Sequence, residues 1–385
     1  MVKVSVIMPA YNSELFIGEA IESILNQTFS DFELIVVDDG SIDQTASIIK
    51  EKINDAPNRI VFIQHEDNMG AAQARNTGLN YAKADIIMFA DADDIQDPRR
   101  LETAYYTLLS SEVDLVFNDC QMIGTRGEAL HRTKGYPKDV NNANVILHSL
   151  KRNHFWSSLV LLKKTEDLYF DTSLASAEDF ELFFRLFRKG YTFDIIPEQL
   201  TNYRIHSTNL SGDTSKAQQA IANIMVKIDL EKLMNRLFQQ HSEIEVKEAI
   251  AAAYLWRQEY STAIDLLTGD HLTAEGSFLL ASCYIKLQKW EESFHIFKQL
   301  KTESANPAVL NNFAVLLILH QKDVEQAKLI LEQVLQIEPE YMDAQHNLSC
   351  IANQQLDHLR LTERPLREKI TAGQHYRQSE VSHDK

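Results

Sequence analysis

Apolar residues arrive in short runs over the first half of the chain and at helical spacing over the second. Val2 to Met8 is a β-branched run broken by Pro9-Ala10-Tyr11-Asn12, which predicts a buried strand and a turn. Phe16, Ala20, Ile24 and Leu25 then mark a helix that Asn12 or Ser13 is placed to cap. Phe32 to Val37 predicts a second strand, closed by Asp38-Asp39-Gly40-Ser41-Ile42-Asp43, and Ala46, Ile49 and Ile53 mark the next helix. In that loop Gly40 suits a positive φ, and Ser41 or Asp43 suits a helix cap. Ile60 to Ile63 reads as a third strand, followed by Asn68-Met69-Gly70 and a helix rich in small residues. A fourth apolar run, Asp85 to Ala90, leads into Asp91-Ala92-Asp93-Asp94. Strands alternating with helices at this spacing predict an α/β fold with a mainly parallel sheet covered on both faces.

Further on, the polar stretch from Asp119 to Lys151 contains Gly124, Gly127 and Pro137 and reads as a hairpin and loops. An amphipathic helix starts near Ser176-Ala177-Glu178-Asp179, and Tyr191 to Ile196 predicts one more strand. Lys216 to Gln240 reads as one long amphipathic helix. Beyond it the strand pattern stops. Tyr254, Tyr260 and Ala263 are matched 30 residues later by Tyr284, Trp290 and Ser293. Pro307 and Pro339 lie 32 apart, and Ala281 and Ala314 lie 33 apart. Such periods predict stacked helical hairpins.

Composition narrows the classes. The chain has 385 residues, enough for two or three domains. Its formal charge of −17 argues against an extended nucleic-acid surface. Cys120, Cys283 and Cys350 are scattered and odd in number, the usage of reduced thiols in a cytoplasmic protein. No apolar stretch approaches the roughly 20 residues of a membrane span, and the start lacks the flanks of a signal peptide. Peripheral membrane contact stays open.

The candidate chemistry gathers where strands end. Residues two apart in extended chain point the same way, so Asp91 and Asp93 are expected to project together at a carboxyl edge, where ligands bind in open α/β sheets. Paired carboxylates repel unless compensated, and hard divalent cations take such oxygens. Asp38 and Asp39 fall on the same edge, where a carboxylate can accept from an imide N–H or a ribose hydroxyl. Arg75 faces either this acidic cluster, a diphosphate or solvent. Asp179 heads the apolar face formed by Leu182, Phe183 and Leu186. Desolvation there raises its basicity and suits a general base, while Ser176-x-x-Asp179 equally fits a helix cap. Trp156 reads as an acceptor-stacking ring or as a core aromatic.

Four stretches taken together resemble family 2 glycosyltransferases of the GT-A fold. They are Val4 to Asn12, Val37-Asp38-Asp39-Gly40-Ser41 with Asp43, Asn68 to Gly78, and Asp91-Ala92-Asp93-Asp94. The resemblance covers roughly residues 1–212. It implies a nucleotide-sugar donor, usually a UDP-sugar, and bound manganese or magnesium. It places Pro9, Tyr11 and Asp38 in the uridine pocket, with Asn12, Asp39, Gly70, Arg75 and Ala92 completing the donor set. It implies that Asp91 holds ribose or metal, that Asp93 binds metal, and that His206 ligates metal or holds the diphosphate. Glu178-Asp179 resembles the family's catalytic pair, whose aspartate deprotonates the acceptor. Ser207, Asn209 and Ser211 would then meet phosphate oxygens. The back half resembles tetratricopeptide repeats more loosely.

These readings predict a GT-A domain over 1–212, a linker helix over 213–243, TPR-like repeats over 244–360 and a polar tail over 361–385. The expected activity is inverting, metal-dependent transfer to a hydroxyl of a glycan or protein acceptor. The repeats would dock the acceptor, a partner or a second copy of the chain. The alternative is an inactive sugar-nucleotide fold serving as a scaffold. A nucleotidyltransferase would want a Gly-rich basic loop where this chain has Pro9-Ala10-Tyr11-Asn12.

Overall fold

The computed structural model describes residues 2–206, 214–269 and 271–362. They fall into two compact units divided between Ile224 and Met225.

The first unit is α/β. In chain order it runs β1 (Val4–Ala10), α1 (Ile17–Leu25), β2 (Phe32–Asp38), α2 (Thr45–Asp55), β3 (Ile60–Gln64), α3 (Ala71–Tyr81) and β4 (Ile86–Phe89). There follow β5 (Ile95–Gln96), α4 (Arg100–Ser110), β6 (Leu115–Ile123), β7 (Ala129–Lys134), α5 (Val145–Lys151), β8 (Val160–Lys163), α6 (Glu178–Arg188) and β9 (Phe193–Arg204). The strands form one sheet in the order β3-β2-β1-β4-β8-β6-β9-β5, with β7 hydrogen-bonded to β6. The first four are parallel to one another. Then β8 runs antiparallel to both β4 and β6, and β6 and β9 are parallel. The mainly parallel sheet expected from the pattern is therefore parallel in its first half and mixed in its second.

Strand periodicity explains the two cores. Val4, Val6 and Met8 point to one face of β1 and pack with Ile17, Ile21, Ile24, Leu101 and Leu108. Ile7 points to the other face with Ile87, Phe89, Phe183 and Leu186. A strand buried on both sides is apolar nearly throughout, and the buried exceptions, Ser5 of β1 and Glu33 of β2, hydrogen-bond each other at 2.8 Å. Gly78 lets α3 lie directly on β1, because a Cβ there would meet Ile7 Cγ2 at 2.4 Å. That contact fixes the helix carrying Arg75 against the strand that leads to the site.

Three local expectations are corrected. Neither Asn12 nor Ser13 caps α1 through its side chain. Asn12 Oδ1 accepts from Ile42 N in the loop after β2 at 3.0 Å, and Ser13 N donates to Thr45 Oγ1 at the start of α2 at 2.7 Å. Ser176 does not cap α6, whose N-cap is Ala177 at φ 60°. The stretch from Asp119 to Lys151 holds the β6–β7 hairpin and also the helix α5.

In place of one long helix over 216–240 the structure has α7 (Thr214–Val226) and α8 (Leu230–Leu237). The break falls where the Asp229 side chain caps α8 by accepting from Lys232 N at 2.9 Å. The second unit continues as α9 (Glu243–Trp256), α10 (Tyr260–Leu267), α11 (Ala274–Lys286), α12 (Trp290–Glu303), α13 (Pro307–Leu316), α14 (Val324–Ile337) and α15 (Met342–Ala352). Side-chain caps at Ser242, Thr273 and Asn306 open α9, α11 and α13. Left-handed residues Gln258, Gln288, Lys322 and Gln354 follow α9, α11, α13 and α15, so the turns recur at 30, 34 and 32 residues. The polar tail expected over 361–385 lies outside the described residues beyond Thr362.

Candidate active site

The carboxyl ends of β1 and β2 make the first wall. Pro9 is part of β1 and pairs with Val37. Tyr11 follows the strand and is 47% exposed. Asn12, at φ 47°, locks this turn to the next loop: its N–H donates to Ser41 Oγ at 2.9 Å. Asp38 is fully buried, accepting from Ser41 N at 3.1 Å and from Gln64 Nε2 at 3.0 Å. Asp39 is spent on its own chain. It accepts from Met69 N at 3.0 Å and Gly70 N at 2.7 Å, and lies 2.7 Å from His65 Nδ1. Asp38 and Asp39 thus shape the loops around the rim, and neither presents a carboxylate to solvent. Gly70, at φ 91°, begins α3 with open space where a Cβ would stand.

The acid cluster forms by a turn and not by strand alternation. β4 ends at Phe89, and Asp94 N donates back to Asp91 O at 3.3 Å. Turning the chain brings in a third carboxylate: one oxygen from each of Asp91, Asp93 and Asp94 lies within 4.8 Å of the others. Ala92 is buried beneath them. Burial raises the Asp91 carboxyl, against the nearby Arg75 charge. Burial and the Asp93 charge push Asp94 well above its ordinary range. Asp94 Oδ2 meets no hydrogen-bond donor among the described residues. Three hard oxygens, from two half-buried aspartates and one buried aspartate, fit a divalent cation such as manganese or magnesium.

The end of β9 closes this cluster. Arg204 N donates to Asp94 Oδ1 at 2.9 Å, and Arg204 Nε donates to the Asp93 carbonyl at 2.8 Å. Its Nη2 reaches Glu19 of α1 at 2.6 Å. Two residues on, His206 Nε2 stands 2.8 Å from Asp93 Oδ2, with its ring 4.7 Å from that of Phe16. Ser207, Asn209 and Ser211 lie outside the described residues.

Arg75 joins this cluster to α6. Its Nη2 donates to Asp91 Oδ1 at 3.0 Å and its Nη1 to Glu178 Oε1 at 2.8 Å. The buried guanidinium is therefore a bridge between two carboxylates and is not a solvated helix arginine. Next to Glu178, Asp179 is partly buried and its carboxyl is pushed up to about 7, by burial first and by the Glu178 charge second. Asp179 Oδ1 accepts from Phe180 N at 2.6 Å and from Asn153 Nδ2 at 3.3 Å. Both bonds fall on one oxygen, which orients the other. A carboxylate with this basicity is a proton acceptor near neutral pH.

Residues 5–184 match glycosyl transferase family 2. An uncharacterised glycosyltransferase of Methanocaldococcus jannaschii is 34% identical over 206 residues, covering 52% of this chain and 70% of that one. The chain is a member of glycosyl transferase family 2. The poly(ribitol-phosphate) β-N-acetylglucosaminyltransferase TarS of Staphylococcus aureus is 32% identical over 182 residues, spanning 46% of this chain but 31% of TarS. In fold, a Pyrobaculum calidifontis mannosyltransferase solved with GDP-mannose and Mn2+ superposes with TM-score 0.50 at 19% identity, covering 86% of each chain.

Several residues of this glycosyltransferase stand in the site without having been singled out from the sequence. Asp94, Arg204 and Asn153 are three, and Lys134 is a fourth. Lys134 is buried with its ammonium 3.2 Å from the centroid of Trp156, and Tyr203 lies 5.1 Å from the same ring. Trp156 thus has one face covered by a cation of its own chain. The Asp119 carboxyl beside Lys134 is raised by burial. Arg100 is also buried, donating to Asn118 Oδ1 at 3.1 Å, to Gln96 Oε1 and to Ser158 O at 2.7 Å. Burial lowers it to about 10. Two signals were present in the sequence: Asp94 stands in the same acidic stretch as Asp91 and Asp93, and Arg204 stands two residues before His206.

Proposed function

We propose that the first unit transfers a sugar from a UDP-sugar donor to a hydroxyl of a glycan or protein acceptor, with inversion. The observation that carries this reading is the Arg75 bridge. One guanidinium holds Asp91 of the acid cluster and Glu178 of the α6 pair, so donor chemistry and acceptor chemistry meet across a single side chain.

Tyr11 and Pro9 at the rim, with the loops fixed by Asn12, Asp38, Asp39 and Gly70, frame the nucleoside. Asp91, Asp93 and Asp94, with His206, would hold the cation. When bound there it neutralises the charge that develops on the departing diphosphate. Asp179 takes the proton from the acceptor hydroxyl as that oxygen attacks the anomeric carbon on the face opposite the diphosphate. Glu178 keeps the Asp179 carboxyl basic and Asn153 keeps it aimed. Holding acceptor and donor in line supplies much of the acceleration.

The helical unit is read as TPR-like repeats that dock the acceptor or a partner. Recurrence of the left-handed turns at Gln258, Gln288, Lys322 and Gln354 supports that reading.

A thermal-shift panel of nucleotide sugars with and without manganese tests the proposal. Stabilisation by one UDP-sugar, only when manganese is present, is the expected result. No shift with any nucleotide sugar would favour the inactive scaffold.

A further inference from the structure

Residues 359–362 lie along the helical unit, and they are held by their backbone. Asn347 of α15 donates through Nδ2 to Arg360 O at 2.8 Å and accepts from Arg360 N at 2.6 Å. Asn312 of α13 does the same to Thr362: Nδ2 donates to Thr362 O at 2.8 Å and Oδ1 accepts from Thr362 N at 2.6 Å. Two amide side chains thus each read the N–H and C=O of alternate residues, as a neighbouring strand would. Asn311 ties the pair together. Its Oδ1 accepts from Asn347 Nδ2 at 2.9 Å, and its Nδ2 donates to Arg360 O at 3.2 Å.

All three asparagines are fully buried. Burying an amide is costly unless it is hydrogen-bonded, so these groups make sense only with an extended backbone beside them. Side-chain selection is confined to two places. Thr362 is buried, and its Oγ1 donates to Asp343 Oδ2 at 2.7 Å, lies 2.8 Å from Tyr341 Oη and accepts from Asn311 Nδ2 at 3.2 Å. Leu359 packs against the apolar core of the unit. Arg360 between them is exposed.

We propose that α13 and α15 form a binding site for an extended peptide that carries a leucine and, three residues on, a threonine or serine. Residues 359–362 are its resident occupant, and a partner segment of the same pattern enters by displacing them. This names the ligand of the docking role given above to the helical unit and rests on that role, not on the transfer chemistry.

The test uses the full chain and a fluorescein-labelled peptide of residues 356–364. Thr362→Pro removes the N–H and the hydroxyl that hold the resident segment. The peptide is expected to bind this variant at least about tenfold more tightly than the wild type. Valine in place of the peptide's threonine should weaken binding about tenfold or more. Adding N312A and N347A should abolish it. A Thr362→Pro chain that keeps wild-type helicity and melting yet binds no peptide would overturn the proposal, as would binding indifferent to the two asparagines. Should Thr362→Pro not fold, amide exchange of the wild type decides. Protected Arg360 and Thr362 amides that excess free peptide accelerates support the site, and amides exchanging at the free-peptide rate overturn it. Manganese-dependent stabilisation by UDP, followed in the same samples, is expected unchanged, so the two readings fail separately.

Discussion

His206 Nε2 lies 2.8 Å from Oδ2 of Asp93, although 113 positions separate them in the chain. Strand β9 makes this contact. It runs parallel to β6 as far as Arg204, and Arg204 fastens its end to the acid turn through Asp93 O and Asp94 Oδ1. The imidazole is thus presented to the carboxylates from a rigid strand end.

If His206 helps hold the cation, His206→Ala should weaken manganese-dependent UDP binding by about 10–100-fold, the usual loss when an orienting neighbour of a metal ligand is removed. Calorimetric titration of UDP with manganese present measures it. Unaltered affinity would take His206 out of the site.

Asp179→Asn should lower kcat by about 10²–10⁴-fold while UDP binding stays near wild type. With the carboxyl raised from 3.8 to about 7, kcat/KM of the wild type should climb as pH rises through about 7. The stability effect has the opposite sign. A carboxyl raised on folding favours the protonated state, so its contribution is full below the ordinary value and is lost as pH rises through about 7. Stability of the Asn variant should therefore fall less than that of the wild type between pH 4 and pH 8, taking about these limits from the same linkage. Rate–pH profiles and denaturant melts at each pH check both slopes.

Arg75→Gln leaves Asp91 and Glu178 without their shared cation. Breaking a buried pair in this way costs about 3–5 kcal/mol, read as a lower melting temperature. Arg75→Lys should rescue little, because one ammonium cannot reproduce the fork that meets two carboxylates at once. A lysine variant with wild-type kcat and melting would show that the bridge is incidental.

Gly78→Ala forces a Cβ against Ile7 Cγ2 at 2.4 Å. Overpacking of this kind costs about 1–3 kcal/mol. The cost should shrink in the double variant with Ile7→Ala, since neighbours in contact are not additive. A full double-mutant cycle in denaturant gives the coupling, and strict additivity would mean that α3 does not press on β1 there.

The sheet was legible because β1, β2, β3 and β4 are mostly apolar runs separated by helices of ordinary length. The acid cluster was legible in position but not in mechanism. Alternation along a strand pairs Asp91 with Asp93, whereas the turn after Phe89 adds Asp94. Arg75 was ambiguous because nothing in its neighbourhood of the sequence reveals Glu178, which lies 103 positions away. The break between α7 and α8 was missed because the amphipathic pattern continues across it. Asn311, Asn312 and Asn347 left no trace, since a buried asparagine reads as a surface residue until its partner backbone is known.

The tie between Asp94 and Arg204 spans 110 positions. A ribosome adding about 5–20 residues per second exposes the carboxylates roughly 5–20 s before the arginine and histidine that close over them. For that interval Asp91 already has Arg75 of the parallel half beside it, whereas Asp94 waits for the strand end that ties it down. The site is therefore completed only when the last strand of the sheet has been made, however early its carboxylates appear.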